Sequence, residues 1–427
     1  MDSRKLSKPR SKLSNIHGLW TLIGAGALVG ACASSPPPRH VVFTEKQYPF
    51  VEPPPALPAM PVTPATGQAA PSKNPFEGAD FYVDPEYAKK IASTDTDDPA
   101  VEAMLAKMKA YPTGLWLDRI AALEQLPKWL EDAENQSKEK GKPVVPVVVV
   151  YDLPNRDCSA KASAGELAAD QGGEQRYRTE FIDPIAEQFA KRPEQPVAVV
   201  LEPDSLPNIV TNMTVEKCAQ SDLIYRHSIA YAIAKLSQPK VYIYVDAAHA
   251  GWLGWAGNRE GFADVMKDVL AMAGGPSRIR GFATNTSNYN ALDGEWGKKL
   301  EPSTPTPNEY SYVQALAETM AKRGITDKGY IIDTSRNGVA ESRTVWGNWC
   351  NIAKAGIGER PAVAPRPLLD AYFWVKPPGD SDGTSDRSAA RFDENCASAD
   401  ARADAPEAGQ WFPAHLIEMM KVANPPL

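Results

Sequence analysis

Two stretches of this chain end an apolar run in carboxylates and a proline. Val199-Val200-Leu201 leads into Glu202-Pro203-Asp204-Ser205-Leu206-Pro207, and Val147–Val150 leads into Tyr151-Asp152-Leu153-Pro154-Asn155-Arg156-Asp157-Cys158. Short β-branched runs read as buried strands, and proline, lacking a backbone N–H, stops them. In a parallel α/β protein the carboxyl ends of strands are where chemistry is placed. Two strands that both finish in acid and proline would put paired carboxylates across a cleft. That is the equipment for acid-assisted bond cleavage.

The elements that must position these groups are legible as a repeat of apolar runs. They are Gly114–Leu117, Val144–Tyr151, Val197–Leu201, Val241–Val245, Ile279–Ala283, Tyr330–Asp333 and Ala371–Val375. Helix-like stretches such as Ala219–Leu236, Gly261–Ala273 and Tyr312–Arg323 lie between them. Strands alternating with helices imply a parallel sheet, and this many units in one domain imply closure. The expected fold is α/β, a distorted, incomplete parallel β/α barrel of about seven strands, with the active site at the C-terminal strand ends.

The residues just past each run are chemically uniform. Trp116 and Asp118 come after the first; Tyr151, Asp152, Arg156 and Asp157 after the second; Glu202 and Asp204 after the third. Then come Asp246, His249, Trp252 and Trp255, next Asn285, next Asp333 and Arg336, and finally Lys376, Asp380 and Asp382. Flat indole faces pack on the C–H faces of sugar rings while Asp, Asn, Lys and His bond the hydroxyls, so this rim fits a sugar cleft. Blander roles compete at several positions. Trp252 and Trp255 could form one buried helix face, although Gly251, Gly254 and Gly257 interleave them and disfavour a stable helix. Trp374 reads as core, Asp152 and Glu202 read as structural acids, and His249 alone would be an ordinary hydrogen-bonded histidine.

The rest of the sequence bounds the setting. A basic start (Arg4, Lys5, Lys8, Arg10, Lys12) precedes an apolar run of about a dozen residues, short of the ~20 that span a bilayer, so residues 1–31 read as a signal peptide. Val29-Gly30-Ala31-Cys32 resembles the bacterial lipoprotein processing box, in which Cys32 is lipidated and becomes the new N-terminus. Residues 32–73 are rich in proline, with Pro36-Pro37-Pro38 and Pro53-Pro54-Pro55, and read as a semi-rigid tether. The catalytic domain is expected over 74–427. The net charge of −7 places +4 in residues 1–31 and leaves −11 on the remainder, which argues against a nucleic-acid partner. Four cysteines remain besides Cys32, namely Cys158, Cys218, Cys350 and Cys396. An even count in an exported chain favours two disulfides, and composition leaves all three pairings open. No CxxC or nearby histidine supports a metal site, and no cofactor is expected. The expected state is a monomer, exported and lipid-anchored to the bacterial envelope, with plain secretion as the alternative.

With these residues assembled, the chain resembles glycoside hydrolase family 6, the cellulase family of cellobiohydrolases and endoglucanases. The resemblance runs from about Asn74 to Leu427. It rests on Val149–Cys158 with Gly165-Glu166, on Leu201–Leu206, and on Asp246-Ala247-Ala248-His249-Ala250-Gly251-Trp252-Leu253-Gly254-Trp255. Ala283-Thr284-Asn285, Trp346–Cys350 and Trp374–Gly383 add to it. The resemblance implies the pairs Cys158–Cys218 and Cys350–Cys396, and hydrolysis of β-1,4-glucan with inversion. It implies Asp204 as general acid, Asp157 as the neighbour that keeps it protonated, and Asp382 as the base-side carboxylate, kept ionised by Arg336 and Arg391. Trp116, Asp118, His249, Trp252, Trp255, Asn285, Trp349, Lys376 and Asp380 become glucose contacts, with Tyr151 and Ser163 at the reactive sugar. Position 380 is Asp where the family commonly has Glu, and Asn155 stands where Asp is common. Two long loops, Ser159–Phe181 and Pro377–Cys396, are in place to roof the cleft.

Overall fold

A computed structural model describes residues 56–65 and 73–427. The expected signal peptide and Cys32 lie outside the described residues. Eight strands form one curled sheet: β1 (Leu115–Leu117), β2 (Val147–Val150), β3 (Val197–Leu201), β4 (Val241–Asp246), β5 (Gly281–Thr284), β6 (Gly329–Asp333), β7 (Ala362–Val363) and β8 (Leu369–Phe373). The order is β1-β2-β3-β4-β5-β6-β8-β7. All neighbours are parallel except β7 on β8, which is antiparallel. The seven runs expected from sequence are all strands. The eighth, β7, is a two-residue edge piece too short to show a period. The run from Val144 is broken at Pro146, which cannot donate to a ladder, and Val144–Val145 instead pairs with Asp80–Phe81.

Alternation along the strands builds two cores. Val147, Val149, Ala198, Val200, Tyr244, Ala283, Ile331, Ala371 and Phe373 point into the barrel. Val148, Val150, Val199, Leu201, Ile243, Val245 and Phe282 point outward against the helices. The helices used below are α1 (Pro85–Ala92), α2 (Ser205–Thr211), α3 (Glu216–Leu236), α4 (Ala256–Ala273) and α5 (Glu309–Ala321).

Between β1 and β8 the ladder is incomplete. One backbone bond crosses there, from Gly114 N–H to Trp374 O at 2.9 Å. A Cβ at position 114 would lie 2.2 Å from the Val375 carbonyl oxygen, so only glycine allows this approach. Both disulfides, Cys158–Cys218 and Cys350–Cys396, form with Cα–Cα separations of 4.9 Å. They fasten the two long loops beside the strand ends. Within the stretch expected to be a semi-rigid tether, residues 56–65 lie along the outer wall, bonded through Leu57 and Ala65.

Candidate active site

The carboxylates sit where strands stop abruptly. Glu202 (φ 49°) and Asp204 (φ 61°) follow β3, and Asn155 (φ 59°) and Asp157 (φ 52°) follow β2, all in the left-handed region. Such backbone costs roughly 1–2 kcal/mol per non-glycine residue and turns the side chain sharply out of the strand direction. Local contacts hold it there. Glu202, fully buried, accepts from the N–H groups of Asp152 (3.3 Å) and Leu153 (3.2 Å) and from Tyr177 Oη at 2.8 Å. It thereby ties the end of β3 to the turn that carries Asp157. Glu202 is a structural acid, as read from sequence.

Asp204 opens α2, and its N–H donates to Asp246 Oδ2 at 3.0 Å. Burial pushes its carboxyl well above the ordinary range, and the neighbouring charges of Asp246, Asp157 and Asp382 push it further. Asp246 terminates β4, is fully buried, and also accepts from Ala248 N–H at 3.0 Å. Burial lifts it to about 6 against those two donors. Asp157 is held by Tyr151 Oη, which donates to its Oδ2 at 2.6 Å. The Arg156 guanidinium lies 4.1 Å over the Tyr151 ring.

Asp382 has the opposite environment. Burial would raise it, but the charges of Arg336 and Lys376, with hydrogen bonds from Tyr289 and Asn351, hold it below the usual carboxylate range. Arg336 Nη1 reaches both oxygens at 2.8 Å, Tyr289 Oη donates at 2.6 Å, Asn351 N–H at 2.9 Å, and Lys376 Nζ stands 3.6 Å away. The molecule therefore carries one carboxyl driven toward its acid form and another driven toward its anion, near enough for the second to act on the first.

The expected sugar wall is partly gathered around them. Trp116 donates through Nε1 to Val375 O at 2.8 Å, meets the Tyr151 ring edge-on, and lies under Lys376 Nζ at 5.6 Å. Trp252 is half-buried, with Nε1 bonded to Thr211 Oγ1 at 2.7 Å. Trp349 is half-buried against the Cys350–Cys396 bridge. The ring of His249 is flanked by Asn288 (2.9 Å) and Asn290 (2.8 Å), and burial with the Arg343 charge lowers it to about 3, so it is a neutral ring. Asp118 is chelated by Arg119 at 2.7 and 3.0 Å. Ser163 enters through its carbonyl, which accepts from Arg156 Nε at 2.9 Å.

Four of the expected residues are engaged by protein neighbours in the structure. Asn285 is fully buried; its amide donates to Asp333 O and Asn290 O and accepts from Asn290 N–H, leaving nothing for a sugar. Trp255 is only 7% exposed and stands at the start of α4. Asp380 is paired with Lys90 of α1 at 2.9 Å. Arg391 pairs with Glu407 at 3.0 Å, so Lys376 joins Arg336 beside Asp382 in its place. Tyr289 and Asn351 escaped the sequence reading, because a tyrosine and an asparagine in loops carry no spacing signal. Asp246 and Lys90 gain their roles only from three-dimensional neighbours. Among the described residues no group of His, Cys, Asp and Glu could hold a metal ion.

A raised acid and a lowered carboxylate flanked by tryptophans suit the hydrolysis of glycosidic bonds. Residues 76–423 match the model of glycosyl hydrolases family 6. The chain is 42% identical over 373 residues to the 1,4-beta-D-glucan cellobiohydrolase C of Emericella nidulans, covering 84% of this chain and 80% of that one. It is 39% identical over 357 residues to exoglucanase 3 of Agaricus bisporus, covering 83% and 80%. The cellobiohydrolase II of Humicola insolens, solved with glucose and cellotetraose, superposes with a TM-score of 0.80 at 37% identity, covering 83% of this chain and all of that one. The chain belongs to glycoside hydrolase family 6.

Proposed function

We propose that this protein hydrolyses β-1,4-glucan with inversion at the anomeric carbon. Asp204 gives its proton to the bridging oxygen as the C1–O bond breaks. A water attacks C1 from the opposite face, and Asp382 takes its proton directly or through a second water. Asp157, fixed by Tyr151, and Asp246 supply the neighbouring negative charge that favours the protonated acid. The observation that carries this reading is the opposed bias of Asp204 and Asp382, one upward and one downward. General acid catalysis contributes on the order of 10²–10⁴-fold. Asp204→Ala is therefore expected to lose about that factor on swollen cellulose, yet far less on an aryl cellobioside whose leaving group needs no proton. Equal losses on both substrates would remove Asp204 as the acid. The anomer released, read by proton NMR, tests inversion.

Chain-end attack on a covered cleft is the mode favoured here. Lys161 N–H, in the loop after β2, donates to Asp393 Oδ2, in the loop after β8, at 2.8 Å. Ala162 packs with Cys350 and Cys396 beneath. Loops that bridge the groove thread a chain end more easily than they admit a chain middle. Cellobiose should dominate the early products, and a rapid fall in viscosity of a long soluble glucan would refute this mode.

Two disulfides fit an oxidising compartment, and the leader fits export. Lipidation of Cys32 rests on the processing box. Cys32→Ser should move the protein from the detergent phase to the aqueous phase.

A further inference from the structure

Residues 56–65, Ala-Leu-Pro-Ala-Met-Pro-Val-Thr-Pro-Ala, lie outside the family match at 76–423. They are nonetheless held on the barrel wall by side chains placed to read an extended backbone. Arg178, 5% exposed, donates through Nη1 to Pro61 O and through Nη2 to Met60 O, both at 2.7 Å. Its buried partner Glu174, at 2.6 Å, accepts from Met60 N–H at 2.8 Å. His227 Nδ1 lies 2.8 Å from Met60 O, and Arg278 Nη2 donates to Ala65 O at 2.8 Å. Two backbone bonds close the ends, Leu57 N–H to Gln220 O and Ala65 N–H to Ala273 O. Val62 packs against the outer core.

The direction of this strap is the informative part. Gln220 belongs to the start of α3, beside Cys218, whose disulfide to Cys158 sits at the strand ends that carry the site. Ala273 is the last residue of α4, whose chain then returns to the beginning of β5, at the opposite end of the barrel. Asn74 is at that opposite end too, with Nδ2 bonded to Asp370 O near the start of β8. An extended proline-rich chain advances about 3.1 Å per residue, so the eight steps from Leu57 to Ala65 cover roughly 25 Å. The sixteen helical steps from Gln220 to Leu236 cover about 24 Å. The strap thus runs the full height of the wall.

We infer that Glu174, Arg178, His227 and Arg278 form a binding groove for an extended, proline-rich peptide, occupied by the chain's own residues 56–65. Its consequence is routing. The chain enters the barrel at the end away from the site, and the strap spans from Ala65 at that end to Leu57 at the cleft rim. The groove's side chains read backbone carbonyls and one N–H, so its ligand class is an extended, proline-rich strand with an apolar residue against the wall, here Val62.

Paired spin labels test this in the full chain carrying Cys32→Ser. One label goes at Ala56→Cys, and the other at Glu216→Cys (rim end of α3) or Lys235→Cys (floor end). The expected result is a narrow distance distribution in both pairs, shorter to position 216 than to position 235. Met60→Pro with Val62→Asp removes the N–H read by Glu174 and the apolar peg while leaving the barrel untouched. It should broaden both distributions and raise amide exchange at Leu57 and Ala65, with hydrolysis of a soluble glucan within twofold of the parent. Broad distributions in the parent chain, or a shorter distance to position 235, would overturn the inference.

Discussion

Arg336 offers a direct test of how Asp382, the carboxylate proposed to act on the attacking water, is set. It is 1% exposed, Nη1 reaches both Asp382 oxygens at 2.8 Å, and its plane covers the Tyr289 ring at 4.2 Å. Arg336→Met leaves Asp382 with Lys376 at 3.6 Å and the donors Tyr289 and Asn351, while the burial that raises its pKa stays. An opposite charge at this range lowers an acid by about 1–3 units, and each unit is worth about 1.4 kcal/mol. Removing it should raise Asp382 from its lowered position, because the burial that opposes ionisation then meets less compensating charge. The acid limb of the kcat–pH profile on swollen cellulose then moves up, costing about tenfold below the limb for each unit it moves, while the alkaline limb assigned to Asp204 stays. Breaking a buried pair also costs roughly 3–5 kcal/mol, so the folded fraction must be followed by circular dichroism at each pH. Arg336→Lys keeps the charge but loses the planar fork, and its limb should move less. If both variants lose activity with the acid limb at its original pH, Asp382 is not the titrating base.

Three further perturbations bear on the scaffold. Replacing both Cys350 and Cys396 by serine opens a loop of 46 residues, worth about 4 kcal/mol in the chain-entropy model, and should loosen the Asn351 N–H that holds Asp382; an unchanged melting temperature refutes the first part. Glu202→Gln exchanges one of two acceptor oxygens for a donor facing backbone N–H groups, at a cost of about 1–3 kcal/mol. Because burial raises Glu202 to about 7, the native state holds a proton that the unfolded chain has released, so wild-type stability falls as pH rises toward 7. The gap between Glu202→Gln and the parent should accordingly narrow from pH 5 to pH 8, and a constant gap in melting temperature would count against that titration. Trp252→Ala removes a half-buried indole anchored by Thr211 and should raise KM roughly tenfold (~1.4 kcal/mol) with kcat within twofold; a loss confined to kcat would place Trp252 outside substrate binding.

How far each feature is legible in the sequence depends on how it is encoded. β2, β3 and β4 are continuous apolar runs because both faces are covered, and such runs are visible without knowing the partner strand. β7 is two residues long and is created by its neighbour β8, so no local pattern announces it. Asp157, Asp204 and Asp382 sit in motifs with their own turn chemistry. Asn285 shows the opposite limit: its motif is present, but its amide is consumed by Asp333 and Asn290, which only the assembled loops bring near. Arg391 and Lys376 are both cations near Asp382 in sequence terms, and only packing decides that the lysine reaches it. The strap is hidden by composition, since Arg178 and Glu174 recognise main-chain atoms and leave no side-chain signature in residues 56–65.

The left-handed residues join fold to chemistry. Asn155, Asp157, Glu202, Asp204, Ala248, Asn285 and Ser287 all have φ between 49° and 61°, and all lie just past the ends of β2, β3, β4 or β5. Glycine would adopt this backbone with the least strain, so a side chain kept there is kept for what it reaches. For Asn155, Glu202 and Asn285 that reach is other backbone, and it holds the turns. For Asp157 and Asp204 it is a shared electrostatic field, in which the charge of Asp157 raises Asp204. Glycine at 204 should therefore cost little or nothing in melting temperature while abolishing protonation of the leaving oxygen. Asparagine at 202, one methylene too short to reach the Asp152 and Leu153 amides, should lower stability and displace Asp157 without touching the acid itself.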